Sequence, residues 1–167
     1  NSNEEFLTGE TIFSGLSTAM SEIGGDAFLS EDGSYDSRPD VAIVVFGEQP
    51  YAEYLGDRTD LVFEFDDGEN LQLIRELKAD GVPVVSVFLT GRPLWVNPHL
   101  NASDAFVVGW LPGSEGGGVA DVLVADANGE ARHDFNGRLS FSWPSDGMGN
   151  PINSPEDEGV LYPFGYG

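Results

Sequence analysis

Residues 41–53 read VAIVVFGEQPYAE, an apolar run that leads directly into a turn containing Gly47, Glu48 and Pro50. The run does not alternate between apolar and polar side chains, which predicts a strand covered on both faces within a parallel sheet. In open α/β sheets, ligands bind outside the carboxyl ends of the strands. A carboxylate at this position therefore makes Glu48 the leading candidate for a functional residue.

The rest of the chain continues an alternation of helices and strands. Apolar residues at helical spacing predict helices over 10–23, 69–79 and 117–124, with a possible short helix over 98–102. Thr8 or Thr11 could cap the first helix, and Gly24-Gly25 would end it. Buried strands are predicted over 83–89 and 105–108, and a weaker one over 27–29. This order predicts an α/β fold with a mostly parallel sheet.

The C-terminal segments differ from this pattern. Residues 138–143 read RLSFSW and alternate as expected of an edge strand, which would add an antiparallel strand to the sheet. The tail that follows is rich in glycine, proline and asparagine. Its last aromatic residues, in LYPFGYG, are expected to dock on the domain. We predict one α/β domain over residues 1–167.

The composition restricts the possible partners. The 167 residues carry 29 acidic and 7 basic side chains, for a net charge of −22. Such a surface disfavours nucleic acid and anionic membranes; it suits a neutral or cationic ligand or a salty environment, or serves solubility alone. The chain has no cysteine and no apolar run of the roughly 20 residues that span a bilayer. The opening residues, NSNEE, are not a signal peptide and look like an interior cut, as in a fragment of a larger protein.

Three polar turns follow the three central strands: GEQPY, TGRP and WLPGSEG. Because the carboxyl ends of parallel strands share one edge, these turns should form one crevice. It would contain an arginine, a tryptophan and four carboxylates, namely Arg92, Trp110, Glu48, Glu53, Asp57 and Glu115. Carboxylates beside aromatic rings are typical of sugar chemistry, where an acid protonates the glycosidic oxygen and rings stack on the sugar.

Each of these residues also has a purely structural interpretation. Glu48 could cap a backbone turn, and Arg92 could brace neighbouring carbonyls or a carboxylate. Glu115, with Ser114, could cap the helix that follows. Trp110 could belong to the core or form a ligand platform.

No metal or cofactor site is predicted. His99 and His133 lack the spacing to carboxylates that a metal site needs and are expected at the surface. Residues 126–130, DANGE, lack the ligand pattern of a calcium loop and predict a plain turn. Serine nucleophile elbows and phosphate loops are absent. We expect no cofactor.

The order of these motifs resembles the second domain of glycoside hydrolase family three, the β-glucosidase and glucan exohydrolase family. The resemblance covers about 39–167. Its motifs are GEQPYAE with Gly56-Asp57, the turn TGRPL from Thr90, WLPGSEGGG with ADVL from Trp110, GRLSFSWP from Gly137, and the final FGYG. The resemblance implies a flavodoxin-like, three-layer αβα sandwich beside a (β/α)₈ barrel.

The resemblance also implies a retaining mechanism in which an aspartate of the barrel is the nucleophile and a glutamate of this domain is the acid/base. That glutamate maps to Glu48 of the GEQPY turn. Tyr51, Arg92 and Trp110 would shape the sugar site or the interface with the barrel, and Glu53, Asp57 and Glu115 would support it. Three departures stand out: the barrel is missing, the strand that opens the domain is missing, and residues 124–136 form a longer polar turn than usual.

We therefore expect part of an exo-acting β-glucosidase or β-glucanase, extracellular or periplasmic, acting on β-glucan or gluco-oligosaccharides. Without the nucleophile of the barrel, the chain alone should be inactive. One alternative is a non-catalytic carbohydrate-binding or packing domain that walls the active site of a barrel carrying all catalytic residues. Another is a self-sufficient hydrolase that pairs Glu48 with Glu115.

Overall fold

The computed structural model describes residues 8–51, 53–64, 67–152, 154 and 156–167. They divide into one unit of residues 8–31 with Leu111–Asn136, and a second unit of Asp32–Trp110 with Gly137–Gly167. In chain order the elements are α1 (Ile12–Glu22), β1 (Ala42–Gly47), a 3₁₀ helix (Glu53–Gly56), α2 (Glu69–Ala79), β2 (Val84–Leu89), α3 (Asn97–Ala102), β3 (Ala105–Trp110), α4 (Gly116–Leu123), β4 (Trp143–Pro144) and β5 (Val160–Tyr162). In the described part of the chain, no helix is both long and apolar enough to cross a membrane.

The main sheet of the second unit has the order β1-β2-β3, with both pairs of strands parallel. This confirms the predicted α/β fold with a mostly parallel sheet. One detail of β1 was wrong: Val44 and Phe46 are buried, but Val45 between them is 41% exposed. Successive side chains point to opposite faces of a strand, so the face of β1 that carries Val45 is not fully covered.

The core of this unit lies on β2 and α2. Phe88 of β2 is fully buried, and its ring centroid lies 4.9 Å from that of Phe63 and 5.6 Å from that of Phe46. The apolar stripe of α2 buries Leu71, Ile74 and Leu77. The helix matches the prediction at both ends, and at its C-terminus the N–H of Gly81, which has a φ of +76°, bonds the carbonyl of Lys78.

The strands bring the polar turns to one edge of the sheet. Gly47 pairs with Leu89 at the ends of β1 and β2, and Leu89 pairs with Trp110 after a shift in register. β3 is two residues longer than predicted because this irregularity lets Trp110 join the pairing. Trp110 has a φ of +51°, a left-handed conformation that is uncommon outside glycine.

Two predicted strands were wrong. Residues 27–29 form no strand, and of residues 138–143 only Trp143 is in one. β4 pairs with β5 in a separate antiparallel sheet rather than at the edge of the main sheet. Leu139 instead bonds to the tail, with its N–H on the carbonyl of Tyr166 at 2.9 Å. The tail therefore supplies the hydrogen-bond partners of Leu139 and of β4, and it docks on this unit as expected.

In the other unit, α1 and α4 pack closely because glycines line their contact. A Cβ on Gly15 would lie 2.7 Å from the Cα of Gly117, and one on Gly116 would overlap the backbone of Thr11 and Ile12. Thr11 caps α1 by accepting a 3.0 Å bond from the N–H of Ser14. Glycines at 24 and 25 end the helix through bonds to the carbonyls of Ser21 and Met20, as predicted.

Gly116→Ala should destabilise the protein by about 1–3 kcal/mol because backbone atoms, rather than a movable side chain, occupy the space of the new methyl group. Gly118→Ala is the matched control, since nothing lies within 4 Å of its Cβ position in the same helix. Alanine there should be neutral or stabilise by up to about 1 kcal/mol. Chemical denaturation of the two variants measures both effects. Equal stability of the two would contradict the close packing of α1 against α4.

Candidate active site

Glu48 lies at the carboxyl end of β1, where its backbone N–H donates to the carbonyl of Leu89 at 3.1 Å. Its side chain is only 8% exposed. Arg92 donates to Oε1 through Nε, and a second guanidinium nitrogen also lies 2.8 Å from that oxygen. The hydroxyl of Thr90 lies 2.8 Å from Oε2 and 2.7 Å from the carbonyl of Arg92, so these two acceptors share its single proton. Both carboxylate oxygens therefore contact donors from the turn after β2.

Arg92 braces the loop that follows Glu48, as one interpretation of the sequence predicted. Besides the Glu48 carboxylate, it bonds the carbonyl of Gly56 at 2.7 Å. Its guanidinium carbon lies 4.1 Å from the ring centroid of Tyr51, within the range of a cation–π contact. The structure thus brings Glu48, Tyr51 and Arg92 together at one edge of the sheet.

Glu53 lies between those contacts in the chain and has a different environment. It opens the 3₁₀ helix with a φ of +48°, a left-handed conformation that costs of order 1–3 kcal/mol outside glycine. The residue is exposed, and among the described residues its carboxylate has no hydrogen bond or ion pair. Asp57 is exposed as well, one residue beyond the 3₁₀ helix.

A cleft of about 440 Å³ opens beside Glu48 and the loop. Its walls are mostly polar and are formed by Gly47, Glu48, Gln49, Pro50, Tyr51, Arg58, Phe63, Glu64, Asn70 and Arg92. Arg58 bonds Asp60 and the carbonyl of Val62, each at 2.7 Å. The N–H of Val62 and the Arg58 side chain hold the pKa of Asp60 below its usual value. Asp60 therefore stays ionised and keeps Arg58 in place.

Glu64 and His99 form a pair at this cleft that the sequence did not predict. His99 Nε2 lies 2.7 Å from Glu64 Oε2, and the ring is fully buried. The predicted surface position of His99 was therefore wrong. The short helix α3 carries His99, and its ring centroid lies 5.4 Å from that of Phe46 and 5.3 Å from that of Phe63. Its partner Glu64 lies 35 residues earlier in the chain. The only local signal was its position in the apolar neighbourhood of a predicted short helix.

Thr90 is the other site residue that sequence reasoning passed over. It is 1% exposed and bonds Glu48 through its hydroxyl and the Trp110 carbonyl through its N–H, at 3.1 Å. Its place in the TGRP turn was the available signal. Trp110 packs against Phe141 and Trp143 with centroids 5.6 and 6.0 Å apart and stays 36% exposed. Trp110 thus packs in an aromatic cluster and remains partly accessible to solvent.

Glu115 belongs to the other unit, where it precedes α4. It occupies the cap position without a capping side-chain bond, and Ser114 Oγ donates to its carboxylate at 3.3 Å. Asp126 accepts from the N–H groups of Glu130 and Asn128, which forms the predicted turn and lowers the pKa of Asp126. In the described ranges, no group of three or more histidines and carboxylates could hold a metal ion.

The chain is similar in sequence and in fold to known glycosidases. Residues 3–167 match the profile of the glycosyl hydrolase family 3 C-terminal domain. The chain is 53% identical to an exo-1,3/1,4-β-glucanase from a Pseudoalteromonas species, with a TM-score of 0.94 over 100% of this chain and 21% of the other. A β-glucosidase from Listeria innocua shares the fold, with 24% identity and a TM-score of 0.70 over 96% of this chain and 26% of the other.

Among curated relatives, a periplasmic β-glucosidase from Salmonella typhimurium is 32% identical over 84% of this chain and 20% of its own length. A lysosomal β-glucosidase from Dictyostelium discoideum is 38% identical over 63% of this chain and 12% of its length. The chain thus spans about a fifth or less of these two curated relatives.

Proposed function

The chain belongs to glycosyl hydrolase family 3, as its C-terminal domain, and from this premise we propose that it forms part of an exo-acting β-glucosidase or β-glucanase. The enzyme would hydrolyse terminal β-glucosidic bonds of β-glucan or gluco-oligosaccharides with retention of configuration. The 53% identity to an exo-1,3/1,4-β-glucanase supports this substrate class. An extracellular or periplasmic location fits the similarity to a periplasmic β-glucosidase.

Retention requires two carboxyl groups about 5–5.5 Å apart, one acting as nucleophile and one as acid/base. We propose that the nucleophile is an aspartate of a (β/α)₈ barrel in the same polypeptide and that this chain supplies the acid/base. That group first protonates the leaving glycosidic oxygen. It then takes a proton from the water that attacks the glycosyl-enzyme, so the acid is restored at the end of the cycle. The chemistry uses no cofactor.

The sequence pointed to Glu48 as the acid/base, but Glu48 and Glu53 have contrasting environments. A general acid must come within about 2.6–3.2 Å of the leaving oxygen. Glu48 is 8% exposed, and its two oxygens are occupied by Arg92 and Thr90. It would have to break these contacts to reach a substrate. We therefore propose Glu53 as the acid/base and Glu48 as the residue that anchors its loop, with Glu48 as the alternative proton donor.

Glu53 suits the task because its carboxylate is exposed and its backbone is held in a strained conformation. Strain of this kind persists where surrounding contacts determine it, and it is concentrated at active sites. Tyr51, Asp57, Arg92 and Trp110 would then support the sugar site or its interface with the barrel. Glu115 lies in the other unit, and its supporting role stays a prediction.

The complete enzyme tests the proposal through the stereochemistry of its product. We expect proton NMR during hydrolysis of an aryl β-glucoside to show the β-anomer of glucose first, with the α-anomer appearing later by mutarotation. The present chain alone should release no aryl alcohol, because it lacks the nucleophile. First formation of the α-anomer, or turnover by the isolated chain, would contradict the proposal.

A further inference from the structure

We propose that Arg92 is a positioning residue that fixes Glu53 by clamping the chain on both sides of it. The inference rests on the proposed acid/base role of Glu53 and adds a residue that acts through it. Arg92 follows β2, whereas Glu53 lies in the loop after β1. The clamp therefore joins the acid/base loop to the middle strand of the sheet.

The contacts of Arg92 bracket Glu53 in sequence. Glu48 precedes Glu53 and forms an ion pair with Arg92 at 2.8 Å. Gly56 is the last residue of the 3₁₀ helix that Glu53 opens, and its carbonyl accepts a 2.7 Å bond. Tyr51 lies beneath the guanidinium. A planar fork with five donors can make these contacts together, whereas a lysine ammonium is a single point charge on a flexible stem.

The base of the clamp is held by the sheet. The N–H of Arg92 donates to Thr90 Oγ1 at 3.2 Å, and the N–H of Thr90 donates to the carbonyl of Trp110 at 3.1 Å. Thr90 is 1% exposed, and the Arg92 side chain is 19% exposed. The clamp thus has one end on neighbouring strands of the sheet and the other on the loop.

Firm positioning matters here because the 3₁₀ helix has only four residues and begins with a strained, exposed glutamate. A displacement of about 1 Å at a reacting group can reduce the rate by about 100-fold. Release of Gly56 and Glu48 would let the loop relax and move the carboxyl group away from the leaving oxygen. The loss should therefore affect the proton-transfer step more than substrate binding.

The test uses the complete enzyme carrying Arg92→Met or Arg92→Lys. Leaving groups of low pKa, such as dinitrophenolate, depart without acid assistance, whereas phenolate needs it. We expect Arg92→Met to lower kcat/KM about 100-fold for phenyl β-glucoside and less than about 10-fold for 2,4-dinitrophenyl β-glucoside. Arg92→Lys should fall between wild type and Arg92→Met for the phenyl substrate, with KM changed less than kcat.

Arg132 provides the matched control in the other unit. Its side chain is 20% exposed, pairs with Glu22 and braces the carbonyls of Ala125 and Ala19. Arg132→Met should remove an equivalent set of contacts without changing the ratio between the two substrates. A uniform loss for both substrates in the Arg92 variants, or no loss, would overturn the positioning role.

Glu53→Gln, measured on the same two substrates, separates the two levels of the proposal. A steep dependence on leaving group for Glu53→Gln, with no such dependence for the Arg92 variants, would overturn the clamp alone. No dependence for Glu53→Gln would contradict Glu53 as the acid/base. If Arg92→Met does not fold, Arg92→Lys and Thr90→Val, which removes the hydroxyl bond to Glu48, decide the question by the same ratio.

Discussion

Glu53→Ala in the complete enzyme is expected to lower kcat/KM for phenyl β-glucoside by about 10²- to 10⁴-fold, the usual contribution of a general acid/base. The loss should be small for 2,4-dinitrophenyl β-glucoside, whose leaving group needs no proton. With that substrate the glycosyl-enzyme still forms but is hydrolysed slowly, because no base activates the water. Added azide needs no base, so it should accelerate turnover and yield β-glucosyl azide.

Glu48→Gln distinguishes the two carboxylates. Loss of the Glu48 carboxylate should remove its ion pair with Arg92 and loosen the loop, but Glu53 remains to activate water. Azide should therefore not rescue Glu48→Gln. If azide rescues the Glu48 variant and not the Glu53 variant, Glu48 is the acid/base. If both variants stay near wild-type activity, the domain is a wall of the active site and all catalytic residues lie elsewhere.

Phe88→Ala is expected to lower the free energy of unfolding by about 3–5 kcal/mol. The ring is fully buried on the middle strand and lies against Phe46, Phe63 and Phe106, with centroids 4.9 to 6.1 Å away. Removal of the ring takes away buried apolar area and leaves a cavity. Because β2 is paired with β1 and β3, it cannot easily move to close that cavity. Because β2 leads into Thr90 and Arg92, the same variant should also weaken the clamp on the loop.

The matched control is Phe164→Ala, since this ring is 67% exposed in the same unit. Its removal should change stability by less than about 1 kcal/mol. Denaturant unfolding followed by tryptophan fluorescence measures both variants. A loss below about 1 kcal/mol for Phe88→Ala would show that the aromatic cluster is not the centre of the core.

Segments whose own pattern specifies burial were predictable from the sequence. The helix at residues 69–79 matches α2 at both ends, and the three strands match within two residues. In contrast, residues 27–29 form no strand, and residues 138–143 contribute only Trp143 to one. These segments are too short for the spacing of their apolar residues to identify a strand. Contacts with residues distant in the chain determine their conformation instead. Leu139, for example, bonds to the tail residue Tyr166.

For the candidate site, the sequence alone predicted which turns meet at one edge of the sheet, but it missed Thr90 and the pair of Glu64 with His99. One apolar strand leads into Glu48 and a second leads into Thr90 and Arg92, and the parallel pairing of such strands brings these turns to one sheet edge. The family followed from the same motifs. These features depend on local order along the chain and on the general geometry of parallel sheets, so the order of the amino acids is sufficient to predict them.

The tertiary structure decided which side chain meets which. Only the pairing of β1 with β2 reveals that Arg92 and Thr90 bond the Glu48 carboxylate while Glu53 stays exposed. Only the packing of α3 reveals that His99 is buried against Glu64. The partners lie 35 to 44 residues apart in the chain, and their pairing depends on distances of a few ångströms that no local pattern encodes. The apolar run that ends at Glu48 thus locates the site, and the contacts across the sheet edge distinguish the anchored carboxylate from the exposed one.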